Sequence, residues 1–295
     1  MSLTTFIADD PDVRDRLRLE FPKVAPPPSL PTLAPPLSTR YSLVGTAFDY
    51  LLRFYLQRLN PSAISRSWIA EYAISHPLSP LLIDPVIDAK SGKVISYTPT
   101  PLTTLAQSIL AEAKAHVAQY LSMGNVNQEL LRSALLLAQL DPVFRRRAVD
   151  QDLGTVHTED IADLRALISI VPSDPFLANH VCLLNPTFGQ ASSLVGGADA
   201  DFLVDETIID VKTTKKLEIR RTYFDQLVGY VILHHIGGIG GITPRLPINM
   251  AGIYFARHAY LYAINLAAYI KTDKFYALVD WFKQKAEVRH SQHAA

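Results

Sequence analysis

The stretch GGADADFLVDETIIDVKTT, residues 196–214, sets carboxylates and a lysine within two short apolar runs. Side chains alternate along an extended strand. Asp199, Asp201 and Leu203 therefore share one face of ADFLV, while Ile208, Asp210 and Lys212 share one face of IIDVKT. With Asp205 and Glu206 as a tight turn, Val204 falls opposite Thr207, Asp201 opposite Asp210, and Asp199 opposite Lys212. Opposed Cβ atoms lie about 4.5–5.5 Å apart, so carboxylates paired this way repel unless something compensates them. Two compensations are open. Lys212 neutralises one acid while the others face water, or Asp201 and Asp210 hold a divalent cation, Mg2+ or Mn2+, through hard oxygen ligands. In the second arrangement Lys212 would orient or deprotonate an attacking water, or stabilise charge developing on a phosphate.

An acid on one strand and acid-x-lysine on the next resembles the active site of the PD-(D/E)xK nuclease superfamily, with Asp210-Val211-Lys212 as the second element. The helix expected after the hairpin carries Gln226-Leu227-Val228-Gly229-Tyr230, which is similar to the QxxxY motif of the RecB-like branch. Residues four apart project from one helix face. Upstream, Gly45-Thr46-Ala47-Phe48-Asp49 resembles the helix that opens RecB-like nucleases, in which a metal-ligating histidine stands where Asp49 does here. Aspartate is itself a good ligand for a hard cation. The motifs occur in the family's order, and the resemblance spans residues 41 to about 236 by layout.

The resemblance implies a restriction-endonuclease-like core, a mixed sheet flanked by helices, and Mg2+- or Mn2+-dependent hydrolysis of phosphodiester bonds in DNA. It assigns catalysis to Asp201, Asp210, Lys212, Gln226 and Tyr230, and metal ligation to Asp49, Asp199, Asp201 and Asp210. The family's glycine-x-x-acid pattern fits Gly196 to Asp199, whereas the hairpin register favours Asp201, so both stay open as the principal ligand. Lys215, Lys216, Arg220 and Arg221 fall between the DVK strand and the QLVGY helix, where they would position a strand through its phosphates. The alternative is a catalytically inactive member of the fold that binds nucleic acid or acts as a scaffold. No ATPase motif occurs in the chain, and a fused helicase or another protein partner would decide polarity and pathway. The iron–sulfur variant of the family needs four cysteines, and Cys182 is the only one here.

The elements that must position these residues are legible from periodicity. Residues 22–38 hold seven prolines and form an extended connector after a short charged helix near 10–20. These make an N-terminal segment, 1–40, ahead of a single domain, 41–295. YSLVGTAFDYLLRFYLQRLNP has helical spacing ended by Asn60-Pro61, and residues of about 61–180 read as a largely helical insertion. Strands are expected only after about 180, then a helix over about 222–236 ended by GGIGG, one or two strands in INMAGIYFARHAYLYAI, and a closing helix in FYALVDWFKQKAEV. The class is α/β, of α+β type.

With 28 basic and 28 acidic residues the formal charge is zero, so a nucleic-acid partner would have to meet a local basic patch. The run Arg145 to Arg147 reads as solvated surface. His234 and His235 read as structural residues at a helix end. The N-terminus has no secretory layout and no run is long and apolar enough to span a bilayer, so a cytoplasmic location away from membranes is expected.

Overall fold

Short apolar strands fix their partners by what they must bury, and β-strand alternation sorts them here into one main sheet. The computed structural model describes all residues except 1, 22–23, 76–82, 241, 244, 267–269, 271 and 295. The chain divides into two compact units, one of residues 1–33, 62–65 and 172–295, the other of residues 34–61 and 66–171. Within the described residues the fold is α+β, a mixed six-stranded sheet flanked by helices, together with a helical insertion.

The first unit begins with α1 (Leu3–Asp9) and α2 (Pro11–Glu20). Asp10 caps α2 by accepting from the amides of Asp12 and Val13, and Pro11 supplies the helical φ at its first position. The sheet comprises β1 (Ile64–Ser65), β4 (Cys182–Leu184), β5 (Phe202–Val204), β6 (Thr207–Lys212), β7 (Met250–Phe255) and β8 (Tyr260–Asn265), hydrogen-bonded in that order. β5 runs antiparallel to both β4 and β6, and β7 to β8, while the pairs β1–β4 and β6–β7 are parallel. A parallel pair needs a crossover. For β6–β7 it is α9 (Arg221–Gly237). One sheet face, with Leu203, Ile208, Ile253 and Phe255, packs in a single core with α1, α2, α9 and α10 (Asp273–Ala294). On the other face Phe176 meets Phe202 and Tyr254 edge-on, with ring centroids 6.3 and 4.9 Å apart.

The hairpin has the expected register: Val204 pairs with Thr207, Leu203 with Ile208 and Phe202 with Ile209. Asp205 takes the left-handed conformation the turn requires (φ 49°). Its carboxylate accepts from the amides of Asn179, His180 and Val181 at 2.8–3.0 Å; burial pushes its pKa up, but those bonds together outweigh it and hold the carboxyl below its usual value.

The second unit holds α3 (Tyr41–Leu59), α4 (Ile69–Ser75), the antiparallel hairpin β2 (Ile83–Ile87) and β3 (Val94–Pro99), α5 (Pro101–Met123), α6 (Gln128–Arg146) and α7 (Thr158–Ser169). That hairpin departs from the expectation of strands only after 180. α3 ends where Asn60 turns its side-chain amide back to the Leu56 carbonyl at 3.1 Å, just before Pro61. α5 opens with a reciprocal Thr100–Thr103 capping box and closes at Gly124 in the left-handed region (φ 76°). No helix among the described residues is long and apolar enough to cross a membrane.

The first two glycines of GGIGG terminate α9, the last, Gly241, lying outside the described residues: Gly238 (φ 69°) sends its amide back to the His234 carbonyl at 2.8 Å. Gly237 is needed for another reason. A Cβ there would lie 2.3 Å from the Phe188 carbonyl oxygen and 2.9 Å from the Ala191 Cβ of α8 (Gln190–Leu194). Backbone cannot yield as a flexible side chain can, so Gly237→Ala is expected to cost about 1–3 kcal/mol, read as a lower urea midpoint.

Candidate active site

Asp210 is the buried acid of β6, 2% exposed, and follows Ile208 on the face that packs against α9. Strand alternation returns Lys212 to the same face two residues on. Its Nζ lies 2.6 Å from Asp210 Oδ2 and donates to Gln226 Oε1 at 3.1 Å. Gln226 Nε2 in turn donates to the Tyr230 hydroxyl at 2.6 Å. An ammonium has no lone pair, so the amide must turn its oxygen to Lys212 and its NH2 to Tyr230. The acid-x-lysine strand and the QLVGY helix thus meet in one connected set of polar contacts.

Two aromatic rings that the sequence did not single out hold this set. Tyr223, one turn before Gln226 on α9, places its ring 4.9 Å from Lys212 Nζ. Phe188 stacks on Tyr230 with centroids 5.5 Å apart. Burial works against the charge on Lys212, but Asp210 and Asp201 outweigh it and its pKa is raised. Burial, then the fields of Asp210, Asp201 and Asp199, push the Tyr230 phenol well above its ordinary value.

The acids upstream of β5 are placed by backbone bonds. The ladder with β6 ends at Phe202, and Asp201 instead accepts from the Val211 amide at 2.6 Å through its carboxylate. Its own carbonyl accepts from Asn185 at 2.9 Å. Asp199 bridges Thr187, so the expected pairing of Asp199 with Lys212 does not form. The strand turns toward β4 before reaching that rung because its backbone groups find partners there.

Among the described residues no three acidic, histidine or cysteine side chains converge as a ready ligand set. Mg2+ is commonly held by one or two carboxylates, with waters and substrate phosphates completing its shell. Asp201 and Asp210, both close enough to act on Lys212, provide hard oxygen donors of that kind.

Asp49 belongs to the helical unit. Its Oδ2 pairs with Arg53 one turn further along α3, and its Oδ1 is buried without a hydrogen-bond partner among the described residues. Arg53 lies over the Tyr50 ring, 4.4 Å from its centroid, and the Tyr50 hydroxyl donates to Asp141 at 2.5 Å while accepting from the Ala70 amide at 3.1 Å.

The basic residues divide. Lys215 and Lys216 are exposed. Arg220 is exposed and pairs with Glu218 at 2.8 Å. Arg221 is held by Asp225 at 2.7 Å and donates to the Phe21 carbonyl at 2.8 Å, which ties α9 to the end of α2. The two histidines have backbone partners: His234 Nε2 meets the Leu246 carbonyl at 3.0 Å, and His235 Nδ1 the Val231 carbonyl at 2.9 Å. Burial, followed by the charges of His235 and Arg245, pushes His234 down to about 4.

No family model, curated protein or solved structure matches this chain.

Burial pushes the Asp141 carboxyl up to about 6 from 3.8, against the Tyr50 hydrogen bond and Arg145. A carboxyl raised on folding contributes stability that is complete below its unfolded pKa and lost as pH rises through about 6. Asp141→Asn is therefore expected to remove a stability difference on the order of 2 kcal/mol between pH 4 and pH 7.5, measured as the wild-type-minus-variant change in urea unfolding.

Proposed function

We propose that this protein is a metal-dependent nuclease that hydrolyses phosphodiester bonds in DNA, with Asp201 and Asp210 holding Mg2+ or Mn2+ and Asp199 as the alternative ligand. The observation that carries the reading is the contact set Asp210–Lys212–Gln226–Tyr230, which joins the acid-x-lysine strand to the QLVGY helix. A bound divalent cation would supply a water of lowered pKa and polarise the phosphate.

The chain's own residues do the rest. Lys212, held as an ammonium by Asp210 and Asp201, stabilises charge that builds on the phosphate oxygens and is poorly suited to remove a proton from water. Gln226 aims that ammonium, and Tyr230 fixes the Gln226 amide. Lys215, Lys216 and Arg220 contact phosphates flanking the scissile bond. Asp49 enters only through the resemblance.

A second reading has one observation in its favour. Lys212 already neutralises Asp210 at 2.6 Å, as a non-catalytic scaffold of this fold would allow. Linear and circular DNA incubated with Mn2+ separate the two. Wild type is expected to cleave, with Lys212→Ala and Asp210→Asn each slowed roughly 10²–10³-fold. Equal cleavage by all three proteins, or none by wild type across divalent metals, would refute the catalytic reading.

A further inference from the structure

Gln226 faces two ways. Its amide belongs to the contact set with Lys212, and the same residue lines a groove of about 450 Å3 between α1, α2 and α9. That volume lies in the range of small-molecule and nucleotide-sized sites. Arg14 and Arg18 stand on its far wall, four residues apart and so on one face of α2. Val13 and Leu17 of the same helix are buried, and Arg16 lies instead over the Trp281 ring at 4.5 Å. The helix therefore splits its three arginines, two toward the groove and one away.

Acids also line the groove: Asp225 is held by Arg221 at 2.7 Å, and the exposed Asp9 meets Arg289 at 3.4 Å. Arg14 and Arg18 are held less firmly than the Arg221–Asp225 pair. Both reach one exposed carboxylate, Asp15, at 3.4 and 3.8 Å, Arg14 also makes a long bond of 3.4 Å to the Ala8 carbonyl, and their side chains remain 35% and 52% exposed. Contacts of that kind contribute little and leave the guanidinium forks free to turn to a better anion. Thr222 adds a hydroxyl beside Gln226 on the near wall, where Arg221 is already tied to Asp225 and the Phe21 carbonyl.

We infer that this groove is a phosphate-binding channel for a single DNA strand, which leads its backbone past Arg14 and Arg18 to the Gln226 side of the active site. The inference rests on the nuclease reading for the identity of the strand. A fork of two guanidinium groups one helical turn apart suits consecutive backbone phosphates, which lie on a repeat of similar length, and no base-reading group is needed.

The test is binding of a fluorescein-labelled single-stranded oligodeoxynucleotide in EDTA, where nothing is cleaved, across a salt series. Two lost phosphate contacts lower the slope of log K against log salt by about 1.4 on single strands. Arg14→Ala/Arg18→Ala is expected to show that loss and at least tenfold weaker binding at 50 mM salt, at about the wild-type melting temperature. Arg16→Ala, which removes one guanidinium from the other side of α2, is expected to keep the wild-type slope, and Arg14→Lys/Arg18→Lys to recover most of it. An unchanged slope in the double alanine variant, an equal loss in Arg16→Ala, or no salt-dependent binding by wild type overturns the channel. So does stabilisation by inorganic phosphate without oligonucleotide binding, which marks a small-anion site. Cleavage is scored separately: a normal slope with no cleavage in any metal removes the nuclease reading, whereas normal cleavage with an unchanged variant slope removes only the channel.

Discussion

The ion pair between Asp210 and Lys212 is the constraint around which the sheet unit is arranged. A carboxylate that is 2% exposed must meet a charge or hydrogen-bond donors, because desolvating it alone would cost several kcal/mol. Lys212 meets that need at 2.6 Å, but its long side chain must then lie over the sheet rather than in water. α9 makes this tolerable. Gln226 offers the ammonium an oxygen, Tyr223 a ring face, and Tyr230 closes the chain of bonds while packing on Phe188. Polar satisfaction and helix docking are thus one problem with one solution. The loops after β6 and before β5 follow from it, since Asp201 reaches the Val211 amide only when the hairpin ladder stops at Phe202.

The helical unit handles buried charge by the same rule with different parts. Asp160 is 1% exposed and is met by Arg40 and by the Ser38 hydroxyl at 2.5 Å. Asp141 is met by Tyr50, and Tyr50 is stacked by Arg53, which in turn holds Asp49. Asp160 and Asp141 are compensated by residues distant in sequence, 122 residues away for Ser38 and 91 for Tyr50. Such networks resist piecemeal change, because removing one partner leaves another buried group unsatisfied.

Much of the secondary structure was legible because its signals are local. Apolar spacing marked α3, α5, α6, α7, α9 and α10, and the hairpin register followed from counting outward from a two-residue turn. β2 and β3 were not legible: prolines punctuate both, and they pair mainly with each other. The three-residue β4 and two-residue β1 carry too few residues for any period to show. The charged helix near 10–20 was visible and is α2; α1 before it was not, and nothing local announces that Leu3, Phe6, Val13 and Leu17 enter the core of the sheet unit.

The sequence by itself determined which side chains share a face, since alternation along a strand and the 3.6-residue turn of a helix are properties of the backbone. Asp210 with Lys212, and Gln226 with Tyr230, were settled at that level. Only the tertiary structure decided whom those pairs meet. Lys212 finds Gln226 fourteen residues away because β6, α9 and β7 form one crossover unit. Asp199 leaves the Lys212 rung because backbone amides near β4 take hold of the strand first. Asp49 turns to Arg53 and Arg221 to Asp225, each one helical turn away, because a charge enclosed by packing takes the nearest partner that packing leaves within reach.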